Sequence, residues 1–255
     1  MRIVRYSHGG QMGFGVLEDE HVAPITPHPF APFEYSGERL TADQVRLLAP
    51  VLPTKVVAVG QNYADHAAEM GNVVPEEPII FLKPSTAVVG PDDPIVYPAG
   101  VDRVDYEGEL AVIVGKVGRR LAEADALQVV LGFTCANDVT ARNLQARDGQ
   151  WTRAKGFDTF CPLGPWIETD LDSSDLAVRT LVNDEQRQSS RTSMLVNGVA
   201  RLLAFISGVM TLLPGDVVLT GTPAGIGPLA PGDEVSVEVE GVGVLTNRVV
   251  AEPSR

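Results

Sequence analysis

The sequence predicts an α+β protein rich in β-structure, with few helices and a small N-terminal domain. Three observations predict it. Ten runs carry strand patterning, and the eight of them from residue 54 onward dominate that part of the chain. Helical patterns are few and do not alternate regularly with the strands, which excludes a doubly wound parallel sheet. Two Pro-Gly-Asp turns, 214–216 and 231–233, bracket the last strands. Proline at the first central position and glycine at the second suit a type II turn.

Taken in order, the elements begin with two strand-like runs, MRIVRY and GFGVLEDEHVAPI. PITPHPFAPFEYSG, rich in proline and aromatic residues, reads as a linker or arm, and LTADQVRLLAP as a short helix or turn. A domain boundary falls near Pro53, giving a small N-terminal β domain over 1–52 and a larger domain over 53–255. Strands are expected at 55–60, 78–83, 108–117, 130–138, 164–169, 176–183, 216–222 and within 234–250. Helices are expected in LAEADALQVV, in the run after Asp138, and in the long apolar stretch near 193–212, with Thr192 and Ser193 as candidate caps. Residues 186–193 read as a loop.

The chain has 255 residues, 44% of them hydrophobic and 21% charged, an ordinary composition for a globular protein. Its net charge of −13 argues against nucleic acid, which needs clustered Lys and Arg. A small anionic substrate responds to local charge and is not excluded. Cys135 and Cys161 form no C-x-x-C pair, the usage of a reducing compartment. The first residues lack the apolar core of a signal peptide, and the stretch 193–213 is interrupted by Asn197, Gly198 and Arg201. These features predict a cytoplasmic protein with no membrane span.

DYEGELAVIV, residues 105–114, places two glutamates at the head of a buried-strand pattern. Uncompensated, each costs several kcal/mol on the scale of a buried ion. Glu107 and Glu109 are two apart and share a strand face, and Gly108 between them lets another group come close. Asp138 ends the next apolar run, so three carboxylates can meet at the ends of neighbouring strands. Without a cation, mutual repulsion raises their pKa values. With one, they form an all-oxygen site that suits Mg²⁺ or Mn²⁺ better than zinc. An arbitrary E-x-E is more often a solvated pair; the apolar run and the third acid favour the site.

Other candidates surround these acids. In QNYADHAAEMGN, Asp65 is a candidate N-cap and Gly71 a stop, and His66 and Glu69 share a helix face. A carboxylate beside an imidazole fixes its tautomer and raises its basicity, as a general base requires; a surface His–Glu pair is the alternative. Lys83 ends an apolar strand, and Lys155 lies among aromatic residues and glycine. Each is either a solvated charge or a contact for a substrate anion. Arg142 and Gln145 follow Asp138 at i+4 and i+7 on the same helix face, as candidates for substrate binding. VLTGTPAGIGP, 218–228, lacks the G-K-[ST] of a phosphate loop. Its backbone N–H groups and the Thr222 hydroxyl can hold a carboxylate, or the loop simply needs its glycines.

Together these segments resemble the fumarylacetoacetate hydrolase family, in its short prokaryotic, acylpyruvase-like branch, akin to 2-hydroxyhepta-2,4-diene-1,7-dioate isomerase. The likeness runs in order through NYADHAAEM, FLKPST, DYEGEL, CANDVTARN, WTRAKGFDTFCPLGPW, RTSML and VLTGTPAGIG, roughly residues 54–250. The first 50 residues look like the small N-terminal domain of some bacterial members. The resemblance implies a mixed β-roll or sandwich of packed sheets, usually a homodimer. It implies Mg²⁺ or Mn²⁺ held by Glu107, Glu109 and Asp138, a His66–Glu69 dyad on a lid, and Lys155 as the active-site lysine. Gln145, Lys83 and Thr222 fall where the family lines its pocket.

The activity so implied is cleavage of a C–C bond in a 2-oxo acid through a metal-stabilised enolate, of the acylpyruvate hydrolase or oxaloacetate decarboxylase type. Glu69 would orient His66 to activate water, and Lys155 would receive the departing enolate. The same ligand set serves isomerases and decarboxylases of 2-hydroxyhepta-2,4-diene-1,7-dioate-type intermediates in aromatic catabolism. The expected partner is a small 2-oxo or dicarboxylate substrate, with neither nucleic acid nor membrane. A non-catalytic dicarboxylate binder is a third possibility, against which the His66–Glu69 pair argues.

Overall fold

The computed structural model describes residues 1–253. Its largest sheet has 13 strands and is built around Gly108–Val114. That strand pairs antiparallel with Val130–Asn137 on one side and with Val217–Leu219 on the other. Beyond Val217–Leu219 lie Val56–Gly60, parallel to it, and then Ile79–Lys83. Beyond Val130–Asn137 lies Cys161–Glu168. All seven residues of Gly108–Val114 are buried, because both faces are covered. Leu110, Val112 and Val114 enter one hydrophobic cluster, and Ala111 and Ile113 enter another. The two-residue strand period thus separates two cores. Deleting a large side chain from either costs about 2–5 kcal/mol.

A second sheet of five strands runs Ile95–Tyr97, Gly243–Ala251, Glu234–Val239, Ala177–Val182 and Glu185–Arg191. Val178, Val237, Val239 and Leu245 from it join the first cluster. Three short strands, Thr140–Ala141, Val104–Tyr106 and Gly227–Pro228, form a small third sheet beside the glutamates. The fold is the β-rich α+β class read from the sequence.

Several elements differ in detail. The apolar helix spans Val199–Val209, shorter than expected, with Gly198 as its N-cap. It buries Val199, Leu202, Leu203 and Ile206, an i, i+3, i+4, i+7 stripe. Thr192 and Ser193 do not cap it: Thr192 Oγ1 accepts from Leu176 N at 2.8 Å, and Ser193 Oγ donates to Asp175 Oδ1 at 2.6 Å. LAEADALQVV forms a 3₁₀ helix over Glu123–Val129. Residues expected as a loop, 186–193, mostly form strand Glu185–Arg191, held by pairing with Ala177–Val182. Gly215 and Gly232 do adopt φ of 86° and 104°, as the two turns require.

The N-terminal strands Arg2–His8, Gln11–Glu18 and His21–Thr26 form an antiparallel meander with a small cluster of Val4, Tyr6 and Val22. Arg2–His8 also pairs with Cys161–Glu168 (Ile3 opposite Ile167), so this segment extends the main sheet. No helix among the described residues is long and apolar enough to cross a membrane.

Candidate metal centre

Glu107 occupies the break between strands Val104–Tyr106 and Gly108–Val114, and Glu109 lies inside the second. Gly108 pairs with Asn137, and Asp138 N donates to Glu107 O at 2.8 Å, so the ladder carries Asp138 to the same place. Any Cβ at position 108 would sit 2.0 Å from Thr180 Oγ1, which explains the glycine between the two acids. Glu107, Glu109 and Asp138 are all buried, and one carboxylate oxygen from each lies within 4.8 Å of the others.

The compensating charge is unequally shared. Lys155 Nζ donates to Glu107 Oε2 at 2.7 Å and to Asp138 Oδ2 at 2.6 Å. Lys83 Nζ donates to Asp138 Oδ1 at 2.5 Å. Arg142 joins Glu107 Oε1 at 2.6 Å to Asp105 Oδ2 at 2.9 Å, and its Nη1 donates to Gln145 Oε1 at 2.6 Å. Glu109 has no such partner among the described residues; Gly221 N donates to its Oε2 at 2.6 Å.

The titration directions follow. Burial and the charges of Asp138 and Glu107 push Glu109 well above the ordinary carboxylate range. Burial alone would raise Glu107 as well, but Lys155 and Arg142 hold it far below that range. Repulsion therefore raises Glu109, as the sequence suggested, but not Glu107, whose neighbours Lys155 and Arg142 outweigh it. Burial works against the Lys155 ammonium, yet Asp138 and Glu107 keep its pKa raised. Three converging oxygen donors, one lacking a counter-charge, fit a hard divalent cation such as Mg²⁺ or Mn²⁺.

The opposite wall is the six-residue helix Ala64–Glu69. Tyr63 is its N-cap, and Asp65 lies inside the first turn with Oδ1 accepting from His66 N at 2.7 Å. Gly71, at φ 70°, ends it as expected. His66 Nδ1 lies 3.2 Å from Glu69 Oε2. In the tautomer whose Nδ1–H donates to Glu69, Nε2 is the ring atom left to accept a proton. Glu69 Oε1 accepts from Gly225 N at 3.0 Å, and Gly225 O accepts from Tyr106 OH at 2.9 Å.

A cavity of about 350 Å³, including its mouth, brings most of the predicted residues together. His66, Glu107, Glu109, Asp138, Arg142, Gln145, Lys155 and Thr222 all line it. Lys83 and Glu69 do not; they stand behind Asp138 and His66 respectively. Val59, Gly60, Gln61, Met70 and Trp151 complete the wall. A Cβ on Gly60 would lie 2.5 Å from the Trp151 ring, so glycine there lets the indole lie against the backbone.

Sequence reasoning missed three buried amides. Gln188 hydrogen-bonds the Gly108 and Thr222 segments together. Asn62 and Asn197 pair through Oδ1, with Asn197 N at 2.9 Å and Nδ2 at 3.0 Å. Gln188 sits in the polar run EQRQSSR, where nothing local marks one glutamine as buried.

The family profile described as fumarylacetoacetate (FAA) hydrolase C-terminal matches residues 55–250, and that described as Rv2993c-like, N-terminal matches residues 1–50. The crystal structure of a 5-carboxymethyl-2-hydroxymuconate delta-isomerase from Mycobacterium smegmatis superposes with a TM-score of 0.94 at 51% identity, over 99% of this chain and 100% of that one. The rat mitochondrial oxaloacetate tautomerase Fahd2a is 42% identical over 94% of this chain and 85% of its own length. A maleylpyruvate hydrolase from Sphingobium sp. SYK-6, solved with manganese(II) and pyruvate, has a TM-score of 0.83 at 33% identity, over 99% of this chain and 100% of that one.

Proposed function

Because the chain belongs to the fumarylacetoacetate hydrolase family, we propose that it is a divalent-metal-dependent enzyme that moves a proton on a short 2-oxo diacid, interconverting its keto and enol forms. The observation that carries this reading is the buried acid triad with one uncompensated member, faced across a small cavity by an oriented imidazole. Glu107, Glu109 and Asp138 would hold Mg²⁺ or Mn²⁺. Bound there, the ion would supply positive charge that polarises the oxygens of a 2-oxo acid.

The chain's own residues do the rest. His66 Nε2 removes a proton from the substrate carbon and, as the imidazolium, gives it up to the enolate oxygen to complete the enol, while Glu69 orients the imidazole through Nδ1. Lys155 is held charged by Glu107 and Asp138 and offers Nζ to an oxygen on which negative charge develops. Arg142, braced by Asp105 and Glu107, and Gln145 beside it present donors for a second carboxylate.

Likeness to an oxaloacetate tautomerase and to a delta-isomerase supports proton transfer as the outcome. Hydrolytic C–C cleavage, with His66 drawing the proton from water, is the second reading. It is supported by the likeness to maleylpyruvate hydrolase. One substrate panel separates them: oxaloacetate, acetylpyruvate and 2-hydroxyhepta-2,4-diene-1,7-dioate, followed by ultraviolet absorbance and by pyruvate release. The expected result is enol–keto interconversion of oxaloacetate without pyruvate release, lost on chelation and restored by Mn²⁺. An undiminished rate in protein shown by elemental analysis to be metal-free would refute the metal-dependent reading.

A further inference from the structure

The hydrogen-bond accounting around Thr222 leaves its hydroxyl with one role toward a ligand. Gly108 N donates to Gln188 Oε1 at 2.9 Å, which fixes the orientation of the amide. Gln188 Nε2 then donates to Pro223 O at 2.8 Å and to Thr222 Oγ1 at 2.8 Å. Thr222 Oγ1 donates its single proton to Gly108 O at 3.0 Å. A peptide carbonyl can only accept, so this direction is not interchangeable. Thr222 and Gln188 are both buried, and Thr222 lines the cavity. The hydroxyl has one proton, already engaged, and one lone pair still open. The sequence suggested that Thr222 holds a carboxylate, but a carboxylate needs a donor that this hydroxyl does not have free.

We propose that Thr222 meets the ligand as a hydrogen-bond acceptor, fixed in that role by Gln188 as a positioning residue. This wall of the cavity thereby selects the 2-hydroxy form of an acid, enol or alcohol, over the 2-oxo form. The inference rests on the functional reading above and deepens it. A hydroxyl on the substrate can donate to Thr222, whereas a keto oxygen brings only lone pairs and gains nothing there. Gln188 matters because losing its amide frees Thr222 Oγ1 on one side and releases both Gly108 N and Pro223 O.

The test uses two small probes that differ at this group, lactate and pyruvate. Both are titrated calorimetrically into the Mn²⁺-loaded protein, so the readout is binding and not turnover. Thr222→Val should weaken lactate about five-fold, the loss of one neutral hydrogen bond, and leave pyruvate within about two-fold. Thr222→Ser should restore the wild-type ratio of the two affinities. Gln188→Met should move that ratio toward the Thr222→Val value; thermal melts report whether it folds, and the Thr222 pair decides the matter if it does not. Equal weakening of lactate and pyruvate by Thr222→Val would overturn the acceptor role while leaving the proposed function standing. Failure of both probes to bind wild-type, Mn²⁺-loaded protein would overturn the functional reading and this inference with it.

Discussion

The two walls of the cavity are built in opposite ways. The acids stand on Gly108–Val114, a strand buried on both faces and paired on both edges. His66 stands on a helix of six residues, too short to be stable alone. What holds that helix is a handful of tertiary bonds: Glu69 to Gly225, Val196 N to Asn62 O at 2.8 Å, and the bridge between Tyr63 and Leu195. The difference assigns the two walls different tasks. Charge is concentrated on a strand buried and paired on both sides, and the imidazole proposed above to move the proton stands on a piece held by a few bonds. On the function proposed above, release of those few bonds would open this wall to substrate.

The largest effect should come from the rigid wall. Glu109→Gln should lower Mn²⁺ affinity by more than the about 10–100-fold typical of an outer-shell loss, and turnover should fall with it. Titration of Mn²⁺ followed by electron paramagnetic resonance measures this, and an unchanged affinity would break the comparison. Next, His66→Ala should cut kcat about 10²–10⁴-fold while leaving Mn²⁺ affinity intact. A parallel loss of metal would mean that the two walls are not separate in function.

Third, Lys83→Met strips Asp138 of a buried partner at 2.5 Å. It should destabilise the metal-free protein by about 3–5 kcal/mol in chemical denaturation, the cost of breaking a buried pair. A loss under 1 kcal/mol would show that the acid wall relaxes more than its burial implies. The smallest effect belongs to Tyr106→Phe, which removes the hydroxyl that donates to Gly225 O. It should lower kcat by about 2–10-fold, one hydrogen bond's worth, with KM nearly unchanged. That outcome sharpens the view that the helix is held through Glu69 and Gly225.

Much of the fold and of the site is legible in the sequence. Apolar runs and the turn residues between them identify the strands because those signals are local. The three acids are legible because carboxylates at the ends of apolar runs are costly and therefore informative. The unread parts depend on distant partners. Ile3 pairs with Ile167, a register no local pattern specifies. Lys83 looked like a pocket residue because it ends a strand, yet its ammonium is engaged by Asp138 and Val139 O. Gln188 and the Asn62–Asn197 pair are ordinary polar residues until the fold buries them. The sequence pattern over-extends the helix at 199–209 because hydropathy continues past the turn in which Thr192 and Ser193 bond elsewhere.

The ammonium of Lys155 already spans two of the three acids. A stripped protein therefore keeps an internal stand-in, and only Glu109 is left without one. On the metal-dependent reading proposed above, one batch of chain could be emptied and refilled with different divalent ions in turn, each compared on the same molecules.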